Sequence, residues 1–120
     1  RRIGELASGI AAAMGATASV DYNRGYPATV NDPDMTELAW AAAAEVVGEE
    51  NVIESPPMMG AEDFAYFLEQ KPGSFFFVGS KNEERGLVWT HHHPKFDLDE
   101  AALAVGVEAL TRTTLRYLAS

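Results

Sequence analysis

A chain of 120 residues, 47% apolar and carrying ten glycines and six prolines, predicts one compact globular core rather than a low-complexity segment. Its formal net charge of −9 argues against nucleic acid as a partner, because phosphate binding needs clustered Lys and Arg. No apolar run is long enough to span a bilayer, and the absence of cysteine fits a reducing compartment, so a cytoplasmic location is the expectation.

The chain opens at Arg1 on a helical pattern already under way, which predicts a piece of a longer protein. Ile3, Leu6, Ile10 and Met14 recur at helical spacing over residues 1–14, and Gly15 is a natural stop. Residues 16–22 then alternate, with Ala16, Ala18, Val20 and Tyr22 on one face and Thr17, Ser19 and Asp21 on the other. That pattern predicts a strand with one buried face. Asn23-Arg24-Gly25-Tyr26-Pro27 breaks it with turn-forming residues, either as a domain boundary or as a plain loop.

The second helix is signalled from both ends. Asp32 suits the N-cap, Pro33 the first helical position, and Asp34 the positive end of the helix dipole. Met35, Leu38, Ala39, Ala42 and Val46 supply its apolar stripe, and Gly48 follows the last turn. Val52-Ile53 is a short β-like run before the rigid Ser55-Pro56-Pro57 break. Met58 to Phe64 predicts the opening of a helix that buries Phe64, Phe67 and Leu68. Glu62 and Asp63 there fit capping and the dipole, while Gly60 lets a ligand approach the backbone closely.

Lys71-Pro72-Gly73 predicts a turn, and Ser74 to Gly79 an apolar strand buried on both faces between helical layers. Residues 80–86 read as a solvated polar loop. Leu87-Val88-Trp89 then leads into His91, His92 and His93, which are all the histidines of the chain. Pro94 biases His93 toward extended backbone, which would face His91 and His93 one way and His92 the other. Three such rings reach one ion only through a tight loop, and a catalytic zinc-type site takes about three protein ligands plus an open position. Two readings stay open: a metal ligand whose companions lie outside these residues, or surface histidines ahead of a helix cap. Asp97 and Glu100 have capping-box spacing, and the helix predicted from Leu98 to about Ala119 carries Leu103, Val107, Leu110, Thr114 and Tyr117 down one side. The alternation of helices and strands indicates an α/β layer architecture.

Three segments carry a family resemblance in the right order: Met59 to Phe67, Pro72 to Gly79, and His91 to Asp97, with Gly25 to Asp32 adding to it. They resemble the C-terminal part of the amidohydrolase branch of the aminoacylase and carboxypeptidase-type metallopeptidases, which includes hippurate hydrolase, N-acyl amino acid deacetylases and auxin-conjugate hydrolases. The resemblance implies an α/β catalytic domain holding two divalent metals (zinc, manganese, cobalt or nickel) and interrupted by a smaller lid domain used for dimerisation. Residues 1–26 would end that lid, with its last helix and strand, and residues 27–120 would be the C-terminal portion of the catalytic domain. A homodimer through the first segment is an expectation of the same kind.

In that family the late metal-ligand histidine sits two residues before the proline, which is His92 here. His91 stands where a leucine is usual, and His93 at a variable position. Gly60, Glu62, Asp63, His91 and His93 are implied to lie near the substrate. The general-base glutamate and the other ligands lie upstream in the family, so no catalytic residue is expected in this chain. The implied reaction is hydrolysis of the amide bond of N-acyl amino acids or related small conjugates, beyond the reach of these residues alone. The other reading is a stand-alone metal-binding or protein-interaction α/β module without catalysis.

Overall fold

A computed structural model describes residues 1–120 as four α-helices: α1 (Arg2–Ala13), α2 (Pro33–Val47), α3 (Ala65–Leu68) and α4 (Ala101–Ala119). A single 3-10 turn, Glu49–Asn51, follows α2. The end signals of α2 act as its sequence implies. The Asp32 Oδ1 accepts the Met35 N–H at 3.0 Å, Pro33 begins the helix, and Gly48 leaves it at φ 86°. Gly15 likewise closes α1 at φ 72°.

The expectation of one compact core is corrected. The Cα radius of gyration is 20.5 Å, where a compact chain of this length has about 14 Å. The buried residues are Ala39, Ala42, Ala65 and Ala109, and no large side chain is fully enclosed. The apolar stripe of α1 shows why. Ile3, Leu6, Ile10 and Met14 are 50–80% exposed, and α1 packs on no other helix. Amphipathic faces form here without anything among these residues to cover them.

The strands are corrected too. Residues 16–22, 52–53 and 74–79 are extended or irregular, and the one β-type pairing joins Asn82 with Leu87. A strand is defined by a ladder with a neighbour, and none of these segments finds one. The 74–79 segment nevertheless keeps strand-like alternation. Phe75 and Phe77 meet edge-on at 5.2 Å and extend the aromatic cluster of Phe64 and Phe67, while Val78 lies toward Gly106 of α4. Phe77 remains 59% exposed, so the expected burial on both faces is only partly realised. The helix expected to open over Met58 to Phe64 is a single turn, Ala65–Leu68, that buries Ala65 and leaves Phe67 67% exposed. Pro72 and Gly73 end that stretch close behind.

Side chains stand in for the missing ladder at one point. The Asn31 Nδ2 donates to the Phe75 carbonyl and its Oδ1 accepts the Phe75 N–H, both at 2.8 Å. Beside it the Asp32 N–H donates to the Gly73 carbonyl, and the hydroxyls of Thr36 and Ser74 meet at 3.2 Å. The extended segment is thereby fastened to the start of α2. Asn31→Ala strands two part-buried backbone groups at once. It is expected to cost about 1–3 kcal/mol, read as a lowered denaturant midpoint.

The principal helix contact is α2 against α4. Ala39 and Ala42 are buried on one side and Ala109 on the other, and small residues let the two backbones approach closely. This seam corrects the predicted core face of α4: Leu103, Val107, Leu110 and Tyr117 are 56–67% exposed. Above the seam Glu45 of α2 binds Arg116 and, at 3.1 Å, Arg112, which also holds Glu108 at 2.7 Å. The Arg116 hydrogen bond, then that of Arg112, holds the Glu45 carboxyl below its ordinary value against the opposing effect of desolvation. A carboxyl depressed in the folded state stabilises above its unfolded pKa, near 4.3, and loses that stabilisation as pH falls through the lower folded value. The α2–α4 tie is therefore expected to hold between pH 7 and 5 and to weaken below about pH 4. Glu45→Gln flattens that acid dependence in helix content followed by circular dichroism.

Candidate functional site

The histidines sit in two consecutive turns rather than in extended chain. The His93 N–H donates to the Thr90 carbonyl at 3.2 Å, and the Phe96 N–H to the His93 carbonyl at 2.9 Å. His92 occupies the third position of the first turn at φ 69°, the one non-glycine residue of the chain with positive φ. A type II turn demands a left-handed residue there. Pro94 takes the second position of the following turn, where its fixed φ is favoured. The expectation that His91 and His93 share one face of an extended run is thus corrected, because the proline starts a turn instead of prolonging a strand.

The three rings have different surroundings. His93 stacks on Trp89 with centroids 3.9 Å apart and planes 6° from parallel. Its Nδ1 accepts the Lys95 N–H at 3.1 Å, which leaves the proton of the neutral ring on Nε2. The Lys95 ammonium lies 5.6 Å from the Trp89 ring. His91 rests against Phe96 at 4.9 Å. His92 is exposed, makes no hydrogen bond and comes no nearer than 6.5 Å, centroid to centroid, to the His91 ring. Both His93 and Lys95 therefore serve the turn, while His91 and His92 are exposed and free of side-chain hydrogen bonds, His92 without the aromatic neighbour that His91 has in Phe96.

Glu62 and Asp63 precede α3. The Glu62 carboxylate accepts the Phe64 N–H at 3.1 Å, a capping role, while Gly60 and Asp63 are exposed. Tyr66 in the following turn meets Tyr26 edge-on at 5.7 Å, which ties the 23–27 segment to this region. No group of three or more His, Asp or Glu side chains in the chain is arranged to hold a metal ion. The donors present do not make a site by themselves: a catalytic zinc-type centre needs about three protein ligands plus an open position, and no such set is assembled here.

The capping box at Asp97 and Glu100 is replaced by a different residue. α4 begins at Ala101, and Asp99 accepts the Ala101 N–H at 3.2 Å. The same carboxylate takes the Asn82 amide at 2.5 Å and the Arg85 guanidinium at 2.9 Å. The Asn82 and Ala101 hydrogen bonds, with Arg85 adding its charge, hold the Asp99 carboxyl below its ordinary value. Asp97 caps only its neighbour, the Leu98 N–H, at 2.8 Å. Asp99 is the residue that sequence spacing overlooks. The signal for it is remote, in the Asn82 and Arg85 side chains of the preceding loop.

The described elements are helices and an extended apolar segment that forms no ladder, with a histidine turn following it. The chain belongs to peptidase family M20/M25/M40, whose family model matches residues 3–116. It is 38% identical over 117 residues to YhaA of Bacillus subtilis (strain 168), a protein provisionally named an amidohydrolase, covering 98% of this chain and 30% of that protein. Thermostable carboxypeptidase 1 of Saccharolobus solfataricus is 37% identical over 113 residues, covering 93% of this chain and 28% of the carboxypeptidase. IAA-amino acid hydrolase ILR1-like 6 of Arabidopsis thaliana is 34% identical over 122 residues, covering 98% of this chain and 26% of the hydrolase. The chain thus spans under a third of the length of these relatives. No helix is long and apolar enough to cross a membrane.

Proposed function

We propose that these residues are the C-terminal part of a metal-dependent amidohydrolase acting on N-acyl amino acids or related small conjugates. In this reading residues 27–120 close the α/β catalytic domain, and residues 1–26 end an inserted lid domain that also serves dimerisation. The observation that carries the reading is the turn of His92: a ring exposed, unbonded and held at φ 69° within a chain that has no companion ligands for it. Strained backbone at an otherwise ordinary loop is a feature of sites where geometry matters more than stability. The relatives named for amide hydrolysis support the substrate class.

His92 donates one ligand to a divalent ion (zinc, manganese, cobalt or nickel), and the rest of the ligand set comes from outside these residues. When bound, the ion pair supplies a water of lowered pKa and polarises the scissile carbonyl. His93 and Lys95 fix the loop that carries His92, and His91, Gly60, Glu62 and Asp63 stand near the substrate. No residue of this chain is the general base.

The test compares the 120 residues with the longer polypeptide that carries them, each supplied with zinc or manganese and a panel of N-acetyl and N-benzoyl amino acids. Turnover and metal retention are expected only from the longer polypeptide. Turnover by the 120 residues alone contradicts the shared site, and a longer polypeptide that binds metal but hydrolyses no amide contradicts the substrate class.

A further inference from the structure

We infer that Asp99 is a positioning residue for His92, acting through Asn82 and Arg85 as a clamp across the base of the loop between them. The inference rests on His92 being a metal ligand, as proposed above, and adds the group that holds it in place.

The geometry is that of a closed loop. Leu87 and Asn82 exchange backbone hydrogen bonds at 2.8 and 3.0 Å, which fixes one end of residues 88–98 on the 80–87 hairpin. The other end is fixed on the same hairpin: the Asp99 N–H donates to the Ser80 carbonyl at 2.9 Å, and the Asp99 carboxylate holds Asn82 and Arg85. Between the two ends there is no helix or strand, only the double turn with His92 close to its middle. A compact loop of this length with joined ends is ordered by its own side chains, here Trp89 on His93 and His91 on Phe96. Asp99 then hands the chain to α4, whose Ala109 packs on α2. The carboxylate thus couples a loop with no secondary structure to the best-packed helix pair of the chain.

The arrangement fits what positioning a ligand requires. The side chain of Asp99 is 20% exposed and saturated with donors, whereas Arg85 is 59% exposed, so the clamp is anchored at the carboxylate. Groups hydrogen-bonded directly to a metal ligand typically account for about 10–100-fold in affinity, which bounds what Asp99 contributes through the loop backbone. Opening the base of the loop frees the backbone on both sides of His92, and a displacement of about 1 Å is enough to matter.

The experiment uses the longer polypeptide and the variant Asn82→Ala/Arg85→Ala, which removes both side-chain partners and leaves the Asp99 cap on Ala101 intact. Two quantities are read: zinc affinity by competition with a chromophoric chelator, and amide hydrogen exchange resolved by segment. The expected result is a loss of zinc affinity of about tenfold, with faster exchange in residues 88–98 as well as in the 82–87 turn, where the Asn82 Oδ1 no longer accepts the Arg85 N–H, and unchanged exchange in α4. Affinity within twofold of the parent overturns the inference, whether or not the loop exchanges faster. So does an affinity loss with no change in loop exchange. Arg85→Ala alone, at an exposed side chain, carries the same test with a smaller effect if the double variant does not fold. His92→Ala is measured alongside. If that variant keeps the parent's zinc affinity, it is the ligand reading that fails, and the inference falls with it; if it loses affinity while the double variant does not, only the clamp fails.

Discussion

Replacing His92 with glycine is expected to leave the protein as stable as the parent, or more stable by about 0.5 kcal/mol, while on the proposed function it lowers amide turnover of the longer polypeptide by about 10³-fold. The two effects have separate origins. At φ 69° an L-residue carries a strain of about 1–2 kcal/mol that glycine does not. Glycine returns roughly 0.5–1 kcal/mol of that through the greater freedom it loses on folding. The difference is small and on the stabilising side. On the proposed ligand role, loss of the imidazole would remove one ligand of a divalent-metal centre, whose charge stabilisation of several kcal/mol corresponds to about three powers of ten in rate. His91→Gly is the internal comparison. His91 does not share the positive φ, so the same substitution there brings the entropic cost, roughly 0.5–1 kcal/mol of destabilisation, and also loses the contact with Phe96. Denaturant titration of the longer polypeptide reads the stability, and metal content with initial rates reads the function. Equal destabilisation by both substitutions would sink the strained-turn account, and undiminished turnover in His92→Gly would sink the ligand assignment.

The features legible in the sequence are those whose cause lies within a few residues. Asp32, Pro33 and Gly48 bracket α2 because a cap and a stop act on the adjacent turn. Gly15 ends α1 for the same reason. The features misread are those whose cause lies far along the chain. Ser74 to Gly79 has the composition of an interior strand, yet a ladder needs a second strand, and here the nearest substitute is the Asn31 side chain. The α4 start was displaced from Asp97 to Asp99 because Asn82 and Arg85, well upstream, select that carboxylate. The apolar positions Leu103, Val107 and Leu110 have the period of a core face, but the face that packs on α2 is the one with alanine. Periodicity identifies which residues share a face and says nothing of which face a neighbour covers. At the candidate site, the clustering of all three histidines was legible from the sequence alone. Its turn was not, because the positive φ of His92 and the hydrogen bond from the His93 N–H to Thr90 reverse the chain before Pro94, whatever backbone the proline imposes on His93.

The same contrast between two faces of α4 yields the second large effect. Ala42→Asp is expected to destabilise the α2–α4 pair by several kcal/mol at pH 8 and by clearly less at pH 5. Ala42 is 0% exposed and faces α4, where Ala109 is 3% exposed, so a carboxylate placed there is desolvated. The nearby cations are already engaged, Arg116 with Glu45 and Arg112 with Glu45 and Glu108, and an aspartate side chain is too short to reach solvent past them. Helix propensity explains little of the effect, since Asp is at most about 0.7 kcal/mol worse than Ala in a helix. The pH dependence separates charge burial from mere bulk. A buried carboxyl has its folded pKa raised above the unfolded value of about 3.9, so its destabilisation grows as pH rises between the two, by about 1.4 kcal/mol per pH unit. At pH 5 the Glu45 pairing is still intact, because it weakens only below the ordinary carboxylate range. That leaves a window in which the variant regains stability and the parent does not change. Leu110→Asp, on the 58% exposed outer face, is expected to stay within about 0.5 kcal/mol of the parent and to show no such window in the 120-residue chain. A loss of stability in Ala42→Asp that is the same at both pH values would mean that steric expansion of the seam, not the buried charge, sets the cost.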